Sequence, residues 1–495
     1  MPVFSLPSSF GIGDFGPGAK AFVDFLYRSG QKYWQLLPLS PTERKSGHSP
    51  YSSFSGMGIN ALFISPEMLA EENLLSAEKL KAYKLPFSKT IEYGKVEKIR
   101  KAICTDAYAN YCKGSFTALD YDFKDYCRKQ SYWLNDFALF VELKRHFRGL
   151  PWYKWPDEFR KRDKAALKEF ESLHEEGIDR IKWLQFMGAR QWKKLRHYAN
   201  SKGIEVFGDL PFYVSYDSAD VWADPEMFCL DKDGNMSGVA GVPPDYFSKT
   251  GQLWNMPTYN WEVLKETNYI WWLNRIRKNL ELFDIIRLDH FRAFESYWQV
   301  PGGERTAENG KWLKGRGAHF FNIVKDQFGA LPFIAEDLGD YMEDVYRFRN
   351  EIGLPGMKLL QFAWGPNMPV SVDAAHNYPL NCVVYTGTHD NNTTKGWFKT
   401  ETSAADRLRL QNYTGIKVNA KNASLVLSRI AYASVAQTAI LPIQDILGLD
   451  AQARINTPGA SKDNWLWRLQ QNALSPETEK HLYSWVQMYN RLQLF

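Results

Sequence analysis

The sequence predicts a (β/α)8 barrel with large helical and loop insertions, and three observations lead there. Short apolar segments recur along the 495 residues, separated by stretches with helical or mixed spacing; strands alternating with helices mean parallel βαβ units. About eight such segments fit one chain, and the length leaves ample room for additions to the roughly 250 residues of a plain barrel. Several of these segments end in a carboxylate, where this fold carries its chemistry.

The bulk composition narrows the class. Lys and Arg number 61 against 56 Asp and Glu, a net charge of +5 with no block of like charge, which argues against a dedicated nucleic-acid surface. No apolar run is long enough for a membrane span, and the first 16 residues carry no Lys or Arg and no long apolar core, so no secretory signal is expected. Cys104, Cys112, Cys127, Cys229 and Cys382 show no C-x-x-C spacing, which predicts reduced thiols and a cytoplasmic protein. Aromatic residues make up 15%, with 18 Trp. Sugar rings present apolar C–H faces that stack on flat aromatics, so a carbohydrate ligand is one reading; a large core is the other.

Taken in order, Gly11-Ile12-Gly13-Asp14-Phe15-Gly16 matches G-x-G-x-x-G, but no strand precedes it and Pro17 follows. It reads as a loop feeding a helix over 19–29, which removes a dinucleotide-dependent dehydrogenase. Lys32 to Leu37, closed by Pro38, predicts the first strand. The small-residue loop over 46–56 then carries Tyr51. Between 66 and 200 the apolar residues recur at helical spacing, predicting a mostly helical insertion with a loose, charged connection over 161–176. A strand follows over 204–210, ending Gly208-Asp209-Leu210-Pro211. The segment 215–261 is rich in Asp, Gly, Pro and Trp without helical periodicity, and predicts a long functional loop over the substrate. Inside it, Asp231-Lys232-Asp233-Gly234-Asn235 lacks the closing Glu of a calcium loop and predicts a β-turn.

A helix over 263–279 leads into Phe283-Asp284-Ile285-Ile286-Arg287-Leu288-Asp289-His290-Phe291-Arg292, the central stretch of the chain. Its apolar run reads as a buried strand ending in a polar site. Arg287 and Asp289 are two apart, on one face of an extended chain, and such charges tolerate burial only as a pair. Further strands are predicted near 332–336, 357–362, 381–387 and 439–442. Asp209, Asp289, Glu336 and Asp390 thus stand at strand ends, and their spacing brings them to one barrel mouth. Acids crowded together repel, so at least one is held protonated while an arginine-paired one serves as nucleophile or electrostatic anchor. Retaining glycosyl transfer needs that division of roles. A metal hydrolase would need several converging histidines, and only His290 and His389 stand at predicted strand ends. A non-catalytic sugar-binding protein would keep the aromatics without needing the acids.

These residues carry a family resemblance. Gly208-Asp209-Leu210-Pro211, Asp217-Ser218-Ala219-Asp220-Val221-Trp222, Gly241-Val242-Pro243-Pro244-Asp245-Tyr246-Phe247, Arg287-Leu288-Asp289-His290-Phe291-Arg292, Ala335-Glu336-Asp337-Leu338-Gly339, Thr388-His389-Asp390-Asn391 and Arg454-Ile455-Asn456-Thr457-Pro458-Gly459 resemble the 4-α-glucanotransferases of glycoside hydrolase family 77 (amylomaltases, or disproportionating enzymes), in the α-amylase clan. The resemblance runs nearly end to end. It implies transfer of 1,4-α-glucan segments from maltooligosaccharide donors to glucose or glucan acceptors. Asp289 would be the nucleophile, Glu336 the general acid/base and Asp390 the transition-state stabiliser. Arg287, His290, His389 and Asp209 would line the donor subsite, with Tyr51 and Trp254 as aromatic platforms and no metal or cofactor. The chain departs from the family at Asn255-Met256, where Gly-Asn is usual before Pro257, at Asn260 and at Ala293. A retaining α-glucan hydrolase shares the same acids and remains the alternative.

Overall fold

In the computed structural model, residues 1–244, 248–339, 342–460 and 462–492 are described. Eleven strands run in chain order: β1 Tyr33–Gln35, β2 Glu205–Leu210, β3 Gly238–Val242, β4 Gln252–Pro257, β5 Ile285–Leu288, β6 Ser296–Pro301, β7 Lys311–Lys314, β8 Phe333–Ala335, β9 Gly356–Leu359, β10 Cys382–Tyr385 and β11 Thr438–Ile440. Seven of them form one parallel sheet in the order β1-β2-β5-β8-β9-β10-β11. Consecutive neighbours joined by helical crossovers, with strands buried on both faces as β9 and β10 are, are the architecture of a (β/α)8 barrel. Every predicted barrel segment overlaps one of these strands. About eight were expected and seven are found: β1 and β11 close the order at its two ends. There Met1 lies along β1, its amine donating to Gln35 O (3.2 Å) and its carbonyl accepting from Trp34 Nε1 (2.8 Å).

Register decides the site. Asp209 pairs in Cα register with Arg287, and Leu288 with Ala335. The two long strands β2 and β5 approach closely where Gly208 stands; a Cβ there would lie 2.2 Å from the Phe283 ring, so only glycine lets the phenylalanine pack.

The region between β1 and β2 has no strand of either sheet and is mostly helical, including Tyr93–Lys113, Thr117–Lys129, Ser131–His146 and the long Glu175–Ser201. The last of these clamps the chain after β1: Gln185 bonds both main-chain groups of Ile59, and Gln191 both of Ser65. The loose connection expected over 161–176 is instead mostly helix, Lys164–Leu173, capped by Asp163 accepting from the amides of Ala165 and Ala166. Only Leu167 and Phe170 bury on its inner face, too few to register as a period among so many charges.

The segment 215–261 is not a single loop. It holds the short helix Ala219–Ala223 and two strands that join β6 and β7 in an antiparallel sheet ordered β4-β3-β6-β7. β3 pairs locally with β4, but its other edge pairs with β6 far along the chain, as in Gly238 with Pro301, a contact no local pattern announces. The expected turn is present: Gly234, at φ 80°, donates to Asp231 O (3.0 Å), and Asp231 Oδ1 accepts from the amides of Asp233 and Asn235. Asp245-Tyr246-Phe247, the end of one motif, lies outside the described residues. Asn255 adopts φ 55°. Asparagine tolerates that left-handed conformation better than most residues. The helix expected over 263–279 is two, Trp261–Glu266 and Ile270–Leu282, broken where Asn268 and Tyr269 take positive φ. Among the described residues no helix is long and apolar enough to cross a membrane, and the five cysteines are unpaired.

Candidate active site

The site begins with the register of β2 and β5. Arg287 Nη1 lies 2.8 and 2.9 Å from the two oxygens of Asp209 and 2.9 Å from Asp289 Oδ1. One guanidinium nitrogen therefore bridges a carboxylate on the neighbouring strand and one at its own strand end. The sequence suggested only the second of these contacts. Asp209 is buried, whereas Asp289 keeps 27% of its side-chain surface. Burial works against the charge on Arg287, yet Asp209 and Asp289 hold its pKa well above the ordinary value. Burial pushes the Asp209 carboxyl up, with Arg287 opposing. Tyr51 completes this floor by donating to Asp209 Oδ2 at 2.6 Å.

Beyond Asp289 the chain turns left-handed at His290, φ 50°. There the His290 amide donates to Glu336 Oε2 (2.8 Å), while the Glu336 amide donates to Leu288 O (3.1 Å) and its carbonyl accepts from Phe291 (3.2 Å). The ends of β5 and β8 are thus laced together. Burial first, and then the charge of Asp289, raise the Glu336 carboxyl to about 8, although Arg287 acts the other way. A protonated acid beside an ion-paired carboxylate is the division of labour that general acid and nucleophile require. Burial also lowers His290 to about 4, so this imidazole is neutral near pH 7 and can donate or accept a hydrogen bond. Trp254, on β4, meets it edge to face, with ring centroids 4.9 Å apart.

The third acid comes from the turn after β10. His389 stacks on Tyr51 with centroids 5.1 Å apart and planes 9° from parallel, and Trp465 backs both rings. Asp390 Oδ1 lies 3.3 Å from His389 Nε2 and accepts a 2.6 Å bond from Asn456 Nδ2.

Tyr51, Trp254, Asp289, His290, His389 and Asp390 line one cleft of about 850 Å³. That volume lies in the upper part of the range of ligand-binding clefts. Asp209 and Arg287 are not among its lining residues; they are buried beside Asp289. Glu336 does not line it either, and meets it through the His290 amide. Asn456 and Trp465 also line the cleft and were not singled out as site residues. Asn456 sits in a quoted motif, but its contact with Asp390 spans 66 residues and leaves no local signal. Among the described residues no cluster of three or more His, Cys, Asp or Glu could hold a metal ion.

Comparison with known proteins places the whole chain in one family. A family model described as 4-alpha-glucanotransferase, glycoside hydrolase family 77, matches residues 1–474. A 4-alpha-glucanotransferase of Synechocystis sp. is 43% identical over 494 residues, covering 98% of this chain and 96% of the relative. One from Clostridium butyricum is 39% identical with both chains covered completely. Among solved structures, an amylomaltase from Streptococcus agalactiae in complex with acarbose superposes with a TM-score of 0.94 at 36% identity, over 99% of this chain and 98% of that one.

Proposed function

The chain belongs to the 4-alpha-glucanotransferase family, glycoside hydrolase family 77, and is an enzyme of glycosyl transfer between α-glucans; on that premise we propose the roles of its residues. The donor is a 1,4-α-glucan or maltooligosaccharide, and the acceptor is glucose or another 1,4-α-glucan.

An Asp289 oxygen attacks the anomeric carbon of the donor while Glu336 gives its proton to the glycosidic oxygen. The reducing-end fragment leaves with that proton on its 4-hydroxyl. The retained segment is then esterified to Asp289. Glu336, now a carboxylate, takes the proton from the 4-hydroxyl of the acceptor, whose oxygen attacks the same carbon and expels Asp289. Two inversions restore the α configuration. Asp390 holds sugar hydroxyls and steadies the positive charge that builds on the ring at each transition state. Arg287, Asp209, His290 and His389 shape the donor subsite, while Tyr51 and Trp254 offer flat faces to the glucan. The β3–β4 segment, from which Trp254 and Met256 reach the cleft, covers bound glucan. Whether sugar or water takes over the ester depends on how dry the acceptor side stays; the family supports transfer. Unpaired cysteines fit a cytoplasmic setting.

The observation that carries this reading is the pairing of opposites at adjacent strand ends: Asp289 against a guanidinium, and Glu336 raised to about 8 by burial. Maltotriose offered to the purified protein should yield glucose together with maltooligosaccharides longer than the substrate. Glucose and maltose alone would refute transfer and favour hydrolysis.

A further inference from the structure

Asp390 is supported differently from the other two acids. Asp289 and Glu336 directly follow the last residues of β5 and β8, whereas Asp390 stands on a turn beyond Tyr385, the last residue of β10, with 44% of its side-chain surface exposed. A group that stabilises a transition state must already be in place when charge develops. The turn fixes only main chain: Thr388 donates to Asn391 Oδ1 through its amide and hydroxyl (2.8 and 2.9 Å), and the Asp390 amide donates to Thr388 Oγ1 (3.3 Å). The carboxylate is held through Oδ1, which accepts from the Asn456 amide at 2.6 Å and has His389 Nε2 beside it at 3.3 Å; Asn456 makes the shorter contact.

Asn456 is itself held. Its main-chain amide donates to His389 O (3.1 Å). Arg454 then ties both partners at once: Nε donates to Asn456 O (2.7 Å) and Nη2 to Asp390 O (2.6 Å). Among the described residues no hydrogen bond reaches Asp390 Oδ2. The clamp leaves that oxygen for the sugar.

We propose that Asn456 and Arg454 are positioning residues for glycosyl transfer: Asn456 sets the rotamer of Asp390, and Arg454 sets the spacing of the two chains that carry them. The proposal rests on the reading of Asp390 as the group that steadies the reacting sugar. Removing the clamp then lowers kcat through Asp390 and spares affinity. A direct sugar contact by Asn456, which also lines the cleft, would act without Asp390 and would weaken binding.

The test is a double-mutant cycle on maltotriose disproportionation by the full chain, using Asn456→Ala, Asp390→Ala and the pair, with calorimetric binding of maltoheptaose to each. Asn456→Ala is expected to lower kcat by about 100-fold, the order of loss that follows a small misplacement of a reacting group. KM and Kd should stay unchanged, and the added loss in the Asp390→Ala background should be minor. Equal fold-losses in both backgrounds, or a loss confined to Kd, would overturn the clamp. Asp390→Ala with wild-type kcat would instead sink the role of Asp390 itself. Arg454→Lys keeps the charge and loses the two-pronged geometry; a reduced kcat at unchanged Kd supports its share, and an unchanged kcat overturns it. Asn456→Ser serves the same cycle should the alanine variant fold poorly.

Discussion

Two buried arginine–aspartate pairs in this molecule look alike and do different things. Arg100 and Asp14 keep 2% and 3% of their side-chain surface, and Arg287 and Asp209 keep 5% and 1%. Arg100 turns its two terminal nitrogens to main chain as well, reaching Ile64 O (2.7 Å) and Ile12 O (2.9 Å) besides Asp14 Oδ2 (2.7 Å). Asp14 in turn accepts from Ser8 Oγ and the Gly16 amide. That network bonds mainly to main chain, and it stitches the N-terminal loop to the helix Tyr93–Lys113. Arg287 is shared between two carboxylates, and the second, Asp289, faces the cleft. The same residue types thus make a latch where the shell is backbone, and a poised charge where the shell opens on a cavity.

The sharpest way to break the comparison is Asp289→Asn. Arg287 retains Asp209, so the fold and maltooligosaccharide binding, read by calorimetry, should persist while kcat on maltotriose falls by roughly 10⁴-fold or more. Near-normal turnover would remove Asp289 from the chemistry and erase the distinction between the pairs. Arg100→Met should do the reverse. It strands Asp14 in the interior and should cost about 3–5 kcal/mol of stability, lowering the denaturant midpoint while kcat per folded molecule stays at the wild-type value. Lost turnover in folded protein would mean the latch reaches the site.

The smallest effect sharpens the contrast through pH. Glu336 has no arginine of its own, and burial raises its carboxyl to about 8 from the 4.5 of an ordinary glutamate. Between those values the folded protein holds a proton that the unfolded chain has released, so stability falls as pH rises across that window and the penalty is complete above it. Glu336→Gln should therefore raise the thermal midpoint most above pH 8 and leave it unchanged below about pH 4.5. A midpoint gain independent of pH would show that the acid carries no such penalty. In the wild type, transfer should decline as pH passes 8, when the general acid loses its proton.

Much of this was legible in the residues. The parallel strands announce themselves because burial on both faces leaves short, mostly apolar runs, and the acids are conspicuous because charge is sparse in such a run. Arg287 and Asp289 could be paired from spacing alone, since alternate residues share a face. Asp209 could not be joined to them, because its contact depends on β2 and β5 lying side by side in a given register. The helix Lys164–Leu173 hid behind its charges, and the sheet built on β3 and β4 stayed out of view because β6, which pairs with β3, lies far along the chain.

By itself, then, the sequence determined the barrel class, the strand-end acids and, through its motifs, the family. Tertiary structure alone decided which carboxylates share one guanidinium, which acid is buried enough to stay protonated, and that Asn456 grips Asp390 from 66 residues away. The reason is physical. Period and burial are local properties of a chain, while charge coupling and desolvation depend on neighbours that only folding assembles.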